Sequence, residues 1–206
     1  REGRYSRYFK KTELKPHLND YWCIPPKENV AFVARMEDIL DVYEMPYAPQ
    51  CPVICMDEKP YQLLEETKTP LPMRPGDTQK TDSEYVRNGT CIIFVFTEPL
   101  AGWAACNCPE TAPGNDWTKE IRHLLDECYP GHKKIILVMD NLNIHTEASL
   151  YKRYKPDEAR RLAKRLEIHH MPVHGSRLNI AEIELNPMTR QCLTRRIDTP
   201  ENLNRE

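Results

Sequence analysis

The sequence predicts a single α/β domain, with a mixed sheet flanked by helices. Three short segments rich in Ile, Val, Phe and Ala come first, at 52–56, 91–97 and 101–106, and they favour a meander of strands. Helical periodicities and apolar runs then alternate towards the C-terminus, which favours crossover connections between strands. The length of 206 residues fits one domain with a hydrophobic core of its own.

The first half of the chain predicts one helix followed by a strand. Lys27–Tyr43 carries apolar residues at helical spacing, and a run of prolines then ends the helix at Pro46, Pro49 and Pro52. The apolar run Pro52–Met56 predicts the first strand. Residues 60–88 combine four prolines with many charges, so we expect an irregular excursion or a loose hairpin there.

The second half predicts alternating helices and strands. After the strands at 91–97 and 101–106, the expected elements are a helix at 116–129, a buried strand at 134–139, a helical region at 147–166 interrupted at Pro156, a strand at 166–170 and a helix within 179–196.

Composition excludes several classes of protein. The net charge is −2, so the domain lacks the overall basic character of many nucleic-acid-binding proteins, and DNA contact would need local patches. The longest apolar runs, Cys91–Phe96 and Ile135–Met139, are far shorter than the roughly 18 residues of a membrane span. The eight cysteines form no Cys-x-x-Cys pair. Reduced, mostly buried thiols are therefore favoured over a zinc site at Cys106 and Cys108.

Two apolar strands are each followed by an aspartate. Asp57 follows Val53–Met56, and Asp140 follows Ile135–Met139. Functional sites of open α/β sheets form beyond the carboxyl ends of strands, so these side chains meet if the strands are neighbours. Paired carboxylates suit Mg²⁺ or Mn²⁺, and a third would complete a two-metal site for phosphoryl transfer. The pattern alone is weak, because Asp is common in turns.

Three blocks of sequence strengthen this interpretation. Met56–Pro60, Met139–His145 and His174–Glu182 resemble the catalytic blocks of DDE transposases, most closely the insertion-sequence branch of the Tc/mariner superfamily. The resemblance implies an RNase H-like fold and a centre for DNA cleavage and strand transfer that uses two Mg²⁺ or Mn²⁺ ions. It also implies that Asp57, Asp140 and Glu182 are the catalytic, metal-binding residues.

The resemblance also implies the partners and the domain organisation. Transposon ends and target DNA are the expected partners, with no membrane, and the full-length, DNA-bound protein is expected to be a homodimer in the bacterial cytosol or nucleoid. We expect residues 1–26 to be the tail of an upstream helix-turn-helix region with its linker, and residues 27–206 to form the catalytic domain. The sequence begins without Met, so we expect an upstream part.

Other polar residues lie next to the three blocks. His145 and His174 could contact the scissile phosphate or support the metal ligands, although hydrogen-bonded loop histidines fit the pattern equally well. Asn141 is a further candidate of this kind, but its type and position favour a turn former over a ligand. Glu58 would point to the sheet face opposite Asp57, and we interpret it with Lys59 as a local or solvated charge pair.

Basic residues concentrate in the region 152–165. They could bind DNA phosphates, or they could form a solvated helix face: Lys152, Arg153, Lys155, Arg160, Arg161, Lys164 and Arg165.

The third block raises two questions. Arg177 stands where the family commonly has an aromatic residue. Pro187 should either distort the helix that carries Glu182 or begin a new helix after Asn186. Apolar periodicity favours Glu184 as the third acid, but the register of the family block favours Glu182.

Three functions are therefore open. The first is an active, Mg²⁺-dependent DNA cleaving and joining enzyme. The second is an inactive or repurposed transposase relic that binds DNA. The third is a nuclease of the RNase H type or one specific for nucleic-acid structure.

Overall fold

The structure is a computed structural model that describes residues 30–109, 116–142 and 145–206. The expected boundary near residue 26 lies outside these residues. The strands are β1 (Val53–Glu66), β2 (Tyr85–Glu98), β3 (Trp103–Asn107), β4 (Ile135–Met139) and β5 (Leu166–His170). The helices are α1 (Val30–Glu44), α2 (Asp116–His123), α3 (Glu147–Arg153), α4 (Pro156–Ala163), α5 (Ala181–Gln191) and α6 (Pro200–Leu203).

The five strands form one mixed sheet in the order β3-β2-β1-β4-β5. Strands β1, β2 and β3 are antiparallel neighbours, whereas β4 pairs parallel with both β1 and β5. The predicted meander followed by crossover connections is thus confirmed. Among the described helices, none combines the length and the apolar composition that crossing a membrane requires.

The β1–β2 hairpin is the main departure from the predicted elements. We expected β1 to end at Met56 and residues 60–88 to form an irregular excursion or a loose hairpin. The hairpin alternative is the closer one, but its strands are longer than expected, because β1 continues to Glu66 and β2 begins at Tyr85. Pro60 is tolerated because the pairing of β1 with β4 ends at Cys55, so β1 has a strand neighbour only on its β2 side at this point. The hairpin is therefore regular over most of its length.

Two hydrophobic clusters cover opposite faces of the sheet. One contains Ile54 and Met56 of β1, packed against α2, α3 and α4. The other contains Cys55, packed against α1 and against Ala181 of α5. Because strand side chains alternate between faces, odd-numbered β1 residues point to the α1/α5 side. This alternation decides which acids can meet.

Two helices differ in detail from the sequence expectation. The helix predicted over 116–129 is α2, followed by one π-helical turn, Leu124–Cys128. The region 147–166 contains α3 and α4, with Pro156 at the start of α4, where its missing N–H costs nothing.

Candidate active site

Asp57 and Asp140 lie next to each other because β1 and β4 are parallel neighbours. The last pair in their register is Cys55 with Val138, and each aspartate follows two residues later. Cys55 and Val138 both pack on the α1/α5 face. Since side chains repeat every two residues along a strand, Asp57 and Asp140 point to that same face.

Glu182 reaches this face from α5. The helix packs its first residue, Ala181, fully buried against the sheet beside Cys55 and Val138. Glu182 follows directly and is exposed. Glu184 is two residues further on, about 200° around the helix, and is half-buried. The charge of Glu182 contributes to the raised pKa of Asp57, so Glu182 lies near that aspartate.

The pKa of Asp57 shows that the other two candidate acids lie near it. Burial is the main cause that raises the pKa of Asp57, and the negative charges of Glu182 and Asp140 raise that pKa further. A hydrogen bond of 2.8 Å from the Glu58 backbone N–H to Oδ1 of Asp57 opposes the shift. Burial also raises the pKa of Asp140, against a hydrogen bond from the backbone N–H of Leu142. The acids thus repel one another in the metal-free protein.

The donor set suits a hard divalent cation. Oδ1 of Asp140 is buried and has no hydrogen-bond partner among the described residues, so it is available as a ligand. Carboxylate oxygens are the ligands that Mg²⁺ and Mn²⁺ prefer. Within the described residues, however, no three His, Cys, Asp or Glu side chains converge into a ready-made metal site. The residues fit a cation chemically, and the exposed side chain of Glu182 would have to swing towards the two aspartates to share it.

His145 and Glu58 form a pair on the opposite face of the sheet. Nε2 of His145 lies 3.2 Å from Oε1 of Glu58, and the two side chains are only 4% and 13% exposed. The ring of Trp117 stacks on His145, with the centroids 5.4 Å apart. The predicted orientation of Glu58 is correct, but the expected solvation is wrong, because Glu58 is enclosed beside His145.

The other two predicted polar residues, His174 and Asn141, differ in how exposed they are. His174 is exposed and adopts a left-handed backbone with φ of 68°. Asn141 is half-buried directly after Asp140.

Two residues near the site were missed by the sequence analysis. His170 places Nδ1 3.1 Å from the backbone oxygen of Asp140. Because His170 ends a predicted strand, its position in the sequence already favours a place at the edge of the sheet where functional residues collect. Asn179 is buried and hydrogen-bonds Met56, and nothing local to its sequence indicates that distant partner.

The basic cluster does not form a single open surface. Arg161 grips the carboxylate of Asp126 through two hydrogen bonds of 2.6 and 2.8 Å, and Arg165 also contacts Asp126. These two side chains therefore have partners within the chain. The other five members are exposed: Lys152, Arg153, Lys155, Arg160 and Lys164.

Pro187 does not begin a new helix. Helix α5 is continuous from Ala181 to Gln191 with Pro187 inside it, so Glu182 and Pro187 share one helix. The alternative with a separate turn for Glu182 is wrong. Arg177 is exposed in a short 3₁₀ turn, Ser176–Leu178, where a charged residue meets no packing conflict.

The strand order, the helices on both faces and the acids at the β1–β4 junction define an RNase H-like domain. A family model of the DDE superfamily endonucleases matches residues 52–204, and the chain belongs to that family. The comparison with curated protein sequences gave no match.

Solved structures of the Mos1 mariner transposase share this fold. The paired end complex with Mg has a TM-score of 0.53 at 15% identity over 98% of this chain and 60% of that chain. The paired end complex with Mn has a TM-score of 0.52 at 14% identity over 98% and 60%. The strand transfer complex gives 0.52 at 14% identity over 98% and 59%. This chain thus spans about 60% of the Mos1 chains, and the likeness establishes the RNase H-like fold.

Proposed function

We propose that this chain is the catalytic domain of a DNA transposase, which cleaves DNA strands at transposon ends and joins them to target DNA. The observation that supports this most strongly is the register that places Asp57 and Asp140 side by side, with Glu182 of α5 on the same face. Membership of the DDE endonuclease family and the shared fold with Mos1 complexes support the same conclusion.

We further propose that Asp57, Asp140 and Glu182 bind two Mg²⁺ or Mn²⁺ ions. When bound, such ions activate a water or a DNA 3′-hydroxyl for attack on phosphorus and stabilise the leaving oxygen. Within the part of the chain that the structure describes, the buried Oδ1 of Asp140 has no hydrogen-bond partner, which supports this proposal. The pKa of Asp57, raised by burial and further by the charges of Glu182 and Asp140, supports it as well. A cation would relieve both unfavourable features.

The three candidate acids differ in how firmly the fold holds their side chains. Asp57 and Asp140 come from the centre of the sheet, so the fold holds their positions. The backbone of Glu182 is held because Ala181 before it is buried against the sheet, whereas its exposed side chain can turn towards the aspartates. The chemistry needs no Ser, Cys or Tyr nucleophile.

The partners follow from the resemblance to insertion-sequence transposases. We propose that the full-length protein binds transposon ends and target DNA as a homodimer, and that it acts on the nucleoid DNA of a bacterial cytosol. The Mos1 neighbours are described as paired end and strand transfer complexes, which supports DNA as the substrate.

The test is nicking of a supercoiled plasmid by the chain with Mn²⁺ or Mg²⁺. We expect metal-dependent nicking that Asp57→Asn abolishes. The matched control is Asp157→Asn, because Asp157 is exposed on α4, which packs on the opposite face of the sheet. Wild-type nicking by the Asp57→Asn variant would overturn the assignment.

A second candidate is a DNA-binding relic without catalysis. It is favoured by the absence, among the described residues, of three acids that already converge on a metal position. Calorimetry with Mn²⁺ distinguishes the two, since a relic would bind DNA but no Mn²⁺. Cleavage of an RNA–DNA hybrid in preference to plasmid DNA would instead indicate a nuclease of the RNase H type.

A further inference from the structure

The loop between β5 and α5 is fastened to the rest of the fold at two adjacent residues. Tyr43 of α1 donates a hydrogen bond of 2.9 Å to the backbone oxygen of Leu178. Nδ2 of Asn179 donates one of 2.8 Å to the backbone oxygen of Met56 in β1. These contacts join segments that are 135 and 123 residues apart in sequence.

Asn179 uses both ends of its amide. Besides the bond to Met56, its Oδ1 accepts a hydrogen bond of 3.2 Å from the backbone N–H of Ala181, the first residue of α5. The side chain is only 4% exposed. One amide group therefore links the start of α5 to the first part of β1.

Each hydrogen-bond partner of the Asn179 side chain comes directly before a candidate acid in the sequence. Met56 immediately precedes Asp57, and Ala181 immediately precedes Glu182. The amide of Asn179 thus bridges the two residues that come just before two of the candidate acids. Because Ala181 is fully buried against the sheet, α5 approaches β1 closely at this point.

We propose that Asn179 is a positioning residue that sets the spacing between Asp57 and Glu182 for binding a divalent cation. This inference rests on the proposed function. Buried amides that satisfy both a donor and an acceptor hold their partners rigidly, whereas a simple helix cap needs only the acceptor. The bond to Met56 is the part that a cap does not require.

The experiment measures Mn²⁺ affinity by isothermal titration calorimetry on the 206-residue chain. Asn179→Ala removes both bonds, and Asn179→Ser keeps an oxygen near the N–H of Ala181 but is too short to reach Met56. We expect both variants to bind Mn²⁺ about 10-fold more weakly, the lower end of the loss that follows removal of a group that orients a metal ligand, because Asn179 holds the backbone beside the acids and not the acids themselves. The matched control is Gln191→Ala at the exposed far end of the same helix, with unchanged affinity.

A second measurement separates positioning from stability. Circular dichroism and thermal unfolding without metal establish that each variant is folded at the titration temperature. If Asn179→Ala does not fold, Asn179→Ser carries the test alone. In plasmid nicking, we expect a lower kcat with an unchanged KM for DNA.

The outcomes distinguish this inference from the proposed function. Folded Asn179 variants whose Mn²⁺ affinity stays within about twofold of wild type, a change too small for a lost outer-shell contact, would overturn the positioning role alone. A wild-type chain that binds no Mn²⁺, or an Asp57→Asn variant that binds it as tightly as wild type, would overturn the proposed function and this inference together.

Discussion

His145 and Glu58 are enclosed together behind the candidate active site, with Nε2 of His145 3.2 Å from Oε1 of Glu58. Glu58 is the neighbour of Asp57 in β1, and His145 ends the short segment that begins at Asp140. The pair therefore links two chain segments, one beginning at Asp57 and one at Asp140, on the face covered by α2, α3 and α4. The two aspartates themselves meet on the α1/α5 face.

This enclosure predicts a pH-dependent stability. Burial lowers the pKa of His145 from 6.5 to about 4, so the unfolded chain binds the proton more tightly than the folded chain. The free energy of unfolding should therefore fall as the pH is lowered from about 6.5 to about 4. Urea unfolding across this pH range measures the effect.

The control for this prediction is the exposed histidine His174. His145→Asn should remove the extra slope of unfolding free energy against pH, whereas His174→Asn should leave it unchanged. Equal slopes in wild type and His145→Asn would show that His145 is not the titrating group.

Neutralising a candidate aspartate should stabilise the metal-free protein. Burial and the charges of Glu182 and Asp140 raise the pKa of Asp57, so the ionised side chain is unfavourable in the fold. At neutral pH and without metal, Asp57→Asn should have a free energy of unfolding above that of wild type. Added Mn²⁺ should raise the melting temperature of wild type only. A destabilised Asp57→Asn would mean that the carboxylate has a structural role instead.

The two acids of α5 should behave differently. Glu182 contributes to the potential at Asp57, and Glu184 projects about 200° away around the helix. Glu182→Gln should therefore abolish metal-dependent plasmid nicking, and Glu184→Gln should retain it. An inactive Glu184→Gln beside an active Glu182→Gln would reverse the choice of third ligand.

DNA binding by this chain should be weak, independent of sequence and strongly dependent on salt. The net charge is −2, so phosphate contacts depend on local groups such as the exposed Lys152 and Arg153. Lys152→Ala combined with Arg153→Ala should weaken binding and flatten the dependence of log K on log salt. Fluorescence anisotropy with two unrelated duplexes tests this; tight binding to one duplex alone would contradict it.

Arg161 should contribute to stability and not to DNA affinity. Its guanidinium grips Asp126 at 2.6 and 2.8 Å, although the arginine side chain remains 46% exposed. Arg161→Ala should therefore lower the free energy of unfolding by about 1 kcal/mol at most. Its affinity for DNA should equal that of wild type in the same anisotropy assay.

The sequence by itself determined the class of fold and the candidate acids. Short apolar runs and helical periodicities are local properties, and they predicted all five strands and the break at Pro156. The three blocks identified Asp57, Asp140 and Glu182 because each acid is recognised from the residues beside it in the sequence, which is also a local property.

Only the tertiary structure decided how distant segments meet. The extension of β1 through Pro60 depends on pairing with β2, and the enclosure of Glu58 depends on His145, a residue far along the chain. The bond from Asn179 to Met56 spans 123 residues. Such contacts leave no periodic pattern in the sequence, because the partner of each polar group comes from a distant segment and not from residues next to it.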